Sequence, residues 1–237
     1  MFFRPAWYRP CDRQVEDTDE IFFWAYHSPM QLSAPSETES AARPVRIGVF
    51  GGTFDPPHIG HLVTAINVRF ALSLDRVLLV VANEPWQKVG SRTLSSAKDR
   101  LAMVQAAVAV EEGIEASDIE LQRGGPSYTV DTLQALLTLE PNSELFLILG
   151  GDAAAGLDSW ERPDEVAKYC RIIVVDRPGV LSEVPPGFTA ERVSVPRLEV
   201  SSTDLRQRAA TAAPLQHLIP EPVISLISQL GLYGDEQ

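Results

Sequence analysis

Two histidines three residues apart, His58 and His61, stand inside the stretch GVFGGTFDPPHIGHL at residues 48–62. This spacing puts both imidazoles on one face of the first turn of a helix, where ring nitrogens can donate hydrogen bonds to phosphate oxygens. Gly51 and Gly52 end the apolar run before them and let backbone N–H groups come close to a ligand. Since a helix start also offers unpaired amides and a positive dipole end, the stretch predicts a phosphate site.

The turn that leads into the histidines differs from two common phosphate-binding motifs, because it contains neither GK[ST] nor GxGxxG. Pro56 and Pro57 stiffen it and suit the first positions of a helix. Gly60 is expected to leave room in which a nucleotide lies flat. Each histidine alone fits an ordinary surface cap, and the glycines an ordinary turn. The eleven-residue constellation as a whole favours the functional interpretation.

A second candidate phosphate element is LEVSSTDLRQR at residues 198–208. An extended segment runs into Ser201, Ser202 and Thr203, whose hydroxyls and backbone amides would lie at a helix start. Arg206 follows one turn later and can aim its planar guanidinium at a polyphosphate. Alone, the segment fits a normal helix cap with an exposed arginine. Paired with the histidine turn, it indicates the opposite side of a triphosphate site.

Composition and charge exclude several classes of function. The 237-residue chain is 45% hydrophobic and carries a formal charge of −12, which argues against a general nucleic-acid binder. Cys11 and Cys170 lie far apart, without the spacing of a zinc site or a disulfide framework. No apolar run approaches the roughly 20 residues of a membrane span. These features predict a cytoplasmic protein with one α/β domain.

Residues 1–44 are predicted to form a disordered N-terminal extension, because they show no helical or strand period and end in the polar run SAPSETESAARP. Met30 is an alternative translation start. The aromatic run FFWAY at residues 22–26 is alternatively a docking segment for a partner. The folded domain is predicted to cover residues 45–237.

After this extension, strand-like apolar runs alternate with segments of helical period. The predicted strands cover residues 45–50, 75–82, 114–122, 144–150 and 171–176. The predicted helices cover residues 58–73, 95–110 and 127–139, and the C-terminal third is expected to be mostly helical. Leu62, Ile66 and Phe70 mark the helical spacing of apolar residues in the first helix, and Ser95 or Ser96 is expected to cap the second.

This alternation predicts the fold class and the place of the site. Strands that alternate with helices give a doubly wound, Rossmann-like α/β fold with a parallel sheet, here with a helical C-terminal part. Ligands of such sheets bind at the carboxyl ends of the strands, near the point where the strand order reverses. Both candidate phosphate elements are expected at that edge.

GGTFDPPHIGH together with SSTDLR resembles the nucleotidyltransferase superfamily whose members share HxGH and an ISSTxxR element. The tetrapeptide HIGH also marks class I aminoacyl-tRNA synthetases, which are distant relatives that carry KMSKS as the second element. This chain has no KMSKS, is too acidic for tRNA, and has little room for an anticodon domain. The resemblance therefore implies adenylyl transfer without tRNA.

Four further stretches resemble one branch of that superfamily, the nicotinate-nucleotide adenylyltransferases. They are NEPWQK (83–88), RGGPSYTVDTL (123–133), GGDAAAGLDSW (150–160) and LIPEPVISLISQLGLY (218–233). The resemblance covers about residues 46–233, and PWQK and RGGPSYT resemble actinobacterial members most closely. It implies transfer of the adenylyl group of ATP to nicotinate mononucleotide, which gives deamido-NAD and pyrophosphate in NAD biosynthesis.

A pyridine nucleotide needs an aromatic platform for its ring and hydrogen-bond donors for its carboxylate. Trp86 or Trp160 can supply the platform, and the turn at Ser127–Thr129 enters a helix and offers amides and hydroxyls. The resemblance places Thr129 at the carboxylate and Trp160 on the ring. Trp86 fits a core residue equally well, and Lys88 also fits a solvated lysine. The expected contacts to the mononucleotide are Asn83, Trp86, Lys88, Tyr128, Thr129 and Trp160.

On the ATP side, the resemblance implies four catalytic side chains. His58 and His61 would stabilise the α and β phosphates, and Lys88 and Arg206 the departing pyrophosphate. Mg²⁺ is expected to bridge the phosphates through ATP oxygens and water, and no protein metal site is predicted. The other expected ATP contacts are Gly51, Gly52, Thr53, Phe54, Gly150, Asp152, Ser201, Ser202 and Thr203.

The reaction implied by the resemblance needs no general base, since the attacking phosphate is already ionised near neutral pH. Asp131 is accordingly expected to complement the dipole of its helix and to have no catalytic role. Nicotinamide mononucleotide and phosphopantetheine are alternative acceptors, and a non-catalytic nucleotide-binding module is an alternative of another class. ATP and the mononucleotide are the expected partners, with no nucleic acid or membrane. The sequence is also compatible with a homo-oligomer.

Overall fold

The structure is a computed structural model that describes residues 43–85, 94–176, 182–196 and 198–234. The strands are β1 Val45–Gly52, β2 Arg76–Val81, β3 Ile114–Ser117, β4 Ser143–Gly150, β5 Arg171–Asp176 and β6 Ala190–Ser194. They form one sheet in the order β3-β2-β1-β4-β5-β6, and every neighbouring pair is parallel. The predicted doubly wound α/β fold is thus confirmed, with its switch point between β1 and β4.

Eight α-helices lie in the described part of the chain. They are α1 Ile59–Ala71, α2 Ala97–Val108, α3 Ile119–Arg123, α4 Thr129–Leu139, α5 Gly151–Ala155, α6 Pro163–Tyr169, α7 Ser202–Ala210 and α8 Glu221–Gln229. A single 3₁₀ turn follows α5 at Leu157–Ser159. Within those same residues, no helix is long and apolar enough to cross a bilayer.

The sheet is covered on both faces, so its central strands are apolar along their whole length. In β2, the five residues after Arg76 are all buried. β4 divides its side chains between two cores: Phe146 and Ile148 pack with α1, α2, α7 and α8, while Leu145 and Leu147 pack with α4, α5 and α6. This alternation follows from the period of two along a strand.

The buried face of α1 contains only one of the three residues that mark its helical spacing. Leu62 is buried, but Ile66 is exposed and Phe70 is 88% exposed, and the buried partners of Leu62 are Ala65 and Val68. Each step of four residues turns about 40° further around a helix of 3.6 residues per turn. The stripe Leu62–Ile66–Phe70 therefore rotates away from the sheet.

Two predicted segments also need correction. The strand expected at residues 114–122 ends at Ser117, and α3 follows, where the side chain of Gln122 donates to the carboxylate of Asp118 at 2.9 Å. No strand was predicted after β5, yet the sheet has a sixth strand, β6. Of its five residues only Val193 is buried, so an edge strand of this kind has almost no apolar signal.

Most of the predicted extension, residues 1–42, lies outside the described residues, so its predicted disorder stays a prediction. The described part begins with Arg43, whose guanidinium lies 2.6 Å from the Asp75 carboxylate. This exposed pair lowers the pKa of Asp75 to about 2, chiefly through its hydrogen bond from Arg43. β1 then starts two residues later.

Candidate active site

The turn between β1 and α1, here called the HxGH turn (residues 53–61), ends on two stacked imidazoles. His58 is the N-cap of α1 and is only 7% exposed. Its ring lies 3.7 Å from that of His61 between centroids, at an interplanar angle of 26°. The two imidazoles thus lie together on the first turn of the helix, as their spacing predicts.

The environment of His61 decides which of its nitrogens carries a proton. The backbone N–H of His58 donates to His61 Nδ1 at 3.2 Å. Because Nδ1 accepts, the neutral ring carries its proton on Nε2 and presents an N–H donor there. The ring of Phe54 contacts the imidazole edge-on at 4.9 Å, and Phe50 lies 6.1 Å away, so aromatic neighbours fix the orientation of His61.

Burial controls the charge of His58. Desolvation lowers its pKa from 6.5 to about 4, so the ring is neutral near pH 7. A bound anion would favour the protonated form and raise this pKa. In the free protein, His58 is therefore a neutral hydrogen-bonding group and brings no standing positive charge.

Gly60 packs closely against other parts of the protein, and the nucleotide expected beside it stays a prediction. A Cβ built at Gly60 would lie 3.0 Å from the His58 ring and 3.1 Å from a methyl group of Val200. Gly60 thus allows close packing of the start of α1 against His58 and against the segment that precedes α7.

The start of the HxGH turn holds a residue in a backbone conformation that L-residues rarely adopt. Phe54 has a φ of 49° and is buried. Its ring folds back over Gly52, where a Cβ would lie 2.7 Å from the ring. Around Gly51, by contrast, a Cβ would meet none of the described atoms within 4 Å. The double glycine therefore serves packing at Gly52 and leaves open space at Gly51.

The two predicted phosphate elements contact each other directly. Ser201 caps α7 by accepting from the backbone N–H of Asp204 at 3.1 Å. The Ser202 hydroxyl donates to the carbonyl of Pro56 at 2.8 Å, and Arg206 Nη1 donates to the carbonyl of Asp55 at 2.8 Å. The first turn of α7 is thus held against the HxGH turn, and together they are called the phosphate corner below.

These contacts change what the individual side chains of α7 can do. The hydroxyl of Ser202 is engaged with the protein, as is that of Thr203, which accepts from Arg206 Nη2 at 3.1 Å. Their backbone amides lie in the first helical turn, where N–H groups have no partner within the helix. A phosphate would therefore meet these amides and the half-buried guanidinium of Arg206.

A buried arginine that the sequence analysis missed supports the same region. Arg100 on α2 is 1% exposed and donates to three carbonyl oxygens: Ser95 at 3.0 Å, Thr53 at 2.9 Å and Asn83 at 3.2 Å. It thereby joins the ends of β1 and β2 to the start of α2. Its signal in the sequence is its spacing, because it shares the apolar face of α2 with Met103.

Next to the phosphate corner lies a cavity of about 290 Å³ at the carboxyl ends of β1, β2 and β4, beside the switch point of the sheet. Tyr128, the N-cap of α4, and Thr129, its first residue, form one wall. Trp160 forms another, and its buried indole Nε1 has no hydrogen-bond partner among the described residues. The predicted site residues that line the cavity are Gly51, Gly52, Thr53, Tyr128, Thr129, Gly150 and Trp160.

Hydrogen bonds tie the turn before α4 to the end of β2. Asn83 Nδ2 donates to the carbonyl of Gly125 at 2.9 Å. The backbone N–H of Ser127 donates to the carbonyl of Glu84 at 3.0 Å, and the Glu84 N–H donates to the Ser127 hydroxyl at 3.2 Å. Asn83, predicted to contact the nucleotide, thus also fixes the turn that presents Thr129.

A second missed residue, Glu120, lies in the cavity wall. The Thr132 hydroxyl donates to its Oε1 at 2.6 Å, and Arg123 Nη1 donates to the Thr132 oxygen at 3.1 Å. Oε2 of Glu120 is buried and has no partner among the described residues. The wall therefore contains an unsatisfied acceptor as well as the unsatisfied indole donor of Trp160.

The remaining predicted residues stand apart from the cavity. Asp152 is exposed on α5 at the end of β4, outside the cavity lining. Asp131 lies in the first turn of α4, as predicted, and forms an ion pair with Arg162. Trp86 and Lys88 lie outside the described residues, so their predicted roles remain predictions.

Known proteins match this chain over most of its length. The cytidylyltransferase-like family matches residues 49–208. A probable nicotinate-nucleotide adenylyltransferase of Corynebacterium kroppenstedtii is 42% identical over 192 residues, which cover 79% of this chain and 90% of the relative. One from Roseiflexus sp. is 44% identical over 195 residues, which cover 79% of this chain and 97% of that relative.

Solved structures share the fold. The nicotinic acid mononucleotide adenylyltransferase of Plasmodium falciparum, complexed with NaAD, has a TM-score of 0.66 and 18% identity, over 79% of this chain and 97% of that chain. The same enzyme complexed with APC has a TM-score of 0.64. At this identity the structures establish the fold, while the sequence matches establish the family. This chain belongs to the nicotinate-nucleotide adenylyltransferases, within the cytidylyltransferase-like family.

Proposed function

We propose that the protein transfers the adenylyl group of ATP to nicotinate mononucleotide, giving deamido-NAD and pyrophosphate. One observation carries the proposal: the HxGH turn, which is held against the start of α7, begins at Thr53 in the lining of a cavity whose walls include Thr129 and Trp160. A phosphate corner beside a pocket for a flat ring suits transfer between two nucleotides. The names and identities of the relatives support the same acceptor.

In the phosphate corner, ATP would be held by imidazole and backbone N–H donors and by one guanidinium. His61 offers Nε2–H to the α phosphate, with His58 stacked beneath it, and Arg206 faces the β and γ phosphates. Lys88 remains a proposed fourth catalytic group. The other proposed ATP contacts are Gly51, Gly52, Thr53, Phe54, Gly150, Asp152, Ser201, Ser202 and Thr203, where Phe54 acts by packing on His61.

In the cavity, the pyridine ring would stack on Trp160 while its carboxylate meets the amide and hydroxyl of Thr129 at the start of α4. The proposed contacts to the mononucleotide are completed by Asn83, Tyr128, Trp86 and Lys88. The unsatisfied indole N–H of Trp160 and Oε2 of Glu120 are further polar groups that a bound nucleotide or its water shell would satisfy.

The proposed chemistry is an in-line displacement at phosphorus. A phosphate oxygen of the mononucleotide attacks the α-phosphorus of ATP, and the bond from that phosphorus to the bridging α–β oxygen breaks. The leaving group is pyrophosphate, which keeps that oxygen. No base is needed because the nucleophile is already ionised, so the residues act by positioning and by stabilising charge.

Mg²⁺ would enter with ATP as part of the substrate. Among the described residues, no group of three or more His, Cys, Asp or Glu side chains is placed to hold a metal ion. The donor set thus fits a metal bound by phosphate oxygens and water, as Mg²⁺ commonly is. We place the reaction in the cytoplasm because the cysteines show no disulfide spacing.

The test is pyrophosphate release by purified protein with MgATP and each of three acceptors in parallel: nicotinate mononucleotide, nicotinamide mononucleotide and phosphopantetheine. Release with the nicotinate form alone supports both the reaction and the carboxylate site at Thr129. Release with another acceptor keeps the HxGH chemistry and rejects the proposed acceptor site. ATP binding without release from any acceptor, in folded protein, supports a nucleotide-binding module instead.

A further inference from the structure

A buried carboxylate lies behind the HxGH turn and faces away from the cavity. Asp55 is 1% exposed and does not line the cavity. Its Oδ1 accepts a hydrogen bond of 2.6 Å from the hydroxyl of Tyr233, and its Oδ2 lies 3.5 Å from the backbone N–H of Ser95. Its own backbone carbonyl accepts from Arg206. Asp55 thus joins the HxGH turn to α2, α7 and the segment after α8.

Both ends of the bond between Tyr233 and Asp55 belong to segments with unfavourable backbone conformations. Tyr233 has a φ of 62°, and Phe54, next to Asp55, has a φ of 49°. Left-handed conformations are disfavoured for residues with a Cβ and persist only where the surroundings determine them. The hydroxyl–carboxylate bond is one such determinant, shared by the two segments.

The position of Asp55 affects His61, the proposed hydrogen-bond donor to ATP, through Phe54. Phe54 precedes Asp55 directly, and its ring contacts His61 edge-on at 4.9 Å. If Asp55 lost its anchor, Phe54 would be freer to leave its left-handed conformation, and its ring would move relative to His61. A displacement of a fraction of an ångström at a phosphate donor is enough to slow phosphoryl transfer.

Packing alone does not account for the hydroxyl of Tyr233. The ring packs at the edge of the core shared by α2 and α8, and its oxygen also lies 3.9 Å from the sulfur of Met103. Burial, and then the bond to Asp55, raise the pKa of Tyr233 above its ordinary value. The group therefore remains an O–H donor over the working pH range, and substitution by phenylalanine removes the bond but keeps the ring.

We propose that Tyr233 is a positioning residue for adenylyl transfer, which acts through Asp55 and Phe54 to fix His61. This inference rests on the proposed function, because its main readout is turnover. Tyr233 does not line the cavity. Its contribution is to hold the HxGH turn in the conformation that aims the His61 donor.

The test compares Tyr233→Phe with the matched control Tyr169→Phe. The hydroxyl of Tyr169 lies 3.5 Å from the Glu165 carboxylate, in the other core layer. Tyr233→Phe should lower kcat on the order of tenfold while the KM for nicotinate mononucleotide changes by less than about twofold. Tyr169→Phe should change neither. An unchanged kcat in folded Tyr233→Phe protein, or an equal loss in both variants, overturns the proposal.

A double-mutant cycle with Asp55→Asn tests the route through Asp55. If Tyr233 acts through this carboxylate, the two losses are not additive, and the double variant is about as slow as the slower single variant. Additive losses would mean that Tyr233 acts by another path, which also overturns the proposal.

A readout without turnover separates this inference from the proposed function. If the wild-type protein transfers adenylyl to none of the acceptors, the proposed function fails. Positioning is then judged from the imidazole NMR resonance of His61, assigned with His61→Gln, since the nearby Phe54 ring makes it sensitive to their separation. Tyr233→Phe should shift this resonance and Tyr169→Phe should not. Identical spectra reject the positioning role.

Discussion

The phosphate corner and the cavity wall are held together over very different distances along the chain. In the corner, hydrogen bonds join residues 146, 151 and 178 positions apart, from Ser202, Arg206 and Tyr233 to the HxGH turn. In the cavity wall, bonds join Arg123 to Thr132 over 9 positions and Glu120 to Thr132 over 12. The longest bonds described for this wall, between Glu84 and Ser127, span 43 positions.

The phosphate corner therefore depends on more of the domain than the cavity wall does. The corner exists only when β1, α2, α7 and the segment after α8 are all in place. The part of the cavity wall that α3, α4 and the turn between them form depends on fewer elements, so changes there need not disturb the chemistry of the corner. We therefore expect substitutions in the corner to act on turnover or stability, and substitutions in the wall to act on acceptor affinity.

The largest expected effect is at His61. His61→Ala should lower kcat by roughly 10² or more, the scale of losing one preorganised donor. The KM for nicotinate mononucleotide should stay within a small factor, since the corner and the wall are separate. Steady-state kinetics on both substrates check this, with the exposed His217→Asn as control. A raised KM for nicotinate mononucleotide at unchanged kcat would show that the corner and the wall are not separate.

The next effect is a dependence of stability on pH that originates in His58. Unfolded His58 binds a proton near pH 6.5 and folded His58 only near pH 4. Between these values the unfolded state holds more protons, so stability is lost as the pH falls. Lowering the pH from 7 to 5 should cost about 2 kcal/mol through this group.

Urea unfolding of the wild-type protein and of His58→Asn at both pH values measures this contribution. The variant has no titrating group at position 58, so the difference between its two unfolding free energies should be smaller by that amount. Equal differences in the two proteins would show that His58 is not the group responsible.

A smaller effect, confined to the acceptor, is expected at Trp160. Trp160→Ala should raise the KM for nicotinate mononucleotide about tenfold through the lost stacking and leave the KM for ATP nearly unchanged. Trp160→Phe keeps an aromatic face but lacks Nε1–H, so it separates stacking from the unsatisfied indole donor. If the alanine variant lowered kcat as His61→Ala does, the wall and the corner would not be independent.

The smallest effect is expected at Asp131. Its carboxylate pairs with Arg162 at the surface, and exposed ion pairs contribute less than about 1 kcal/mol. Asp131→Asn should therefore leave kcat and both KM values within about twofold, because position 131 has no part in acid–base catalysis. A loss of kcat comparable to that of His61→Ala would show that Asp131 is a catalytic carboxylate.

The sequence predicted the fold well where the signal is local. The buried runs of β2 and β4 and the serine cap of α2 give two strands and a helix within two residues of their observed ends, and the serine cap of α7 gives the start of that helix. β6 was missed because an edge strand needs few apolar residues. The exposure of Phe70 could not be predicted, because regular spacing does not reveal which side of a helix meets the sheet.

For the site, the sequence indicates the residues that are proposed to meet substrates, but not the residues that hold them. The two phosphate elements and the Ser127–Thr129 turn are candidates because their residue types carry chemistry at short spacing. Arg100, Glu120 and Tyr233 were missed because a hydrogen bond to a distant backbone or carboxylate has no signature in the local sequence. Of these three residues, only Arg100 has a spacing that indicates burial, because it lies on an apolar helix face.

The separation of 146 positions between Pro56 and Ser202 also sets when the site can form during synthesis. At about 5–20 residues per second, the ribosome needs roughly 7–30 s to reach Ser202 after the HxGH turn itself has been made. For that interval the nascent chain carries the whole histidine motif without the helix that completes it. A chain released early, even one that contains β1 to β5, would have the sequence signature of the enzyme and no phosphate corner.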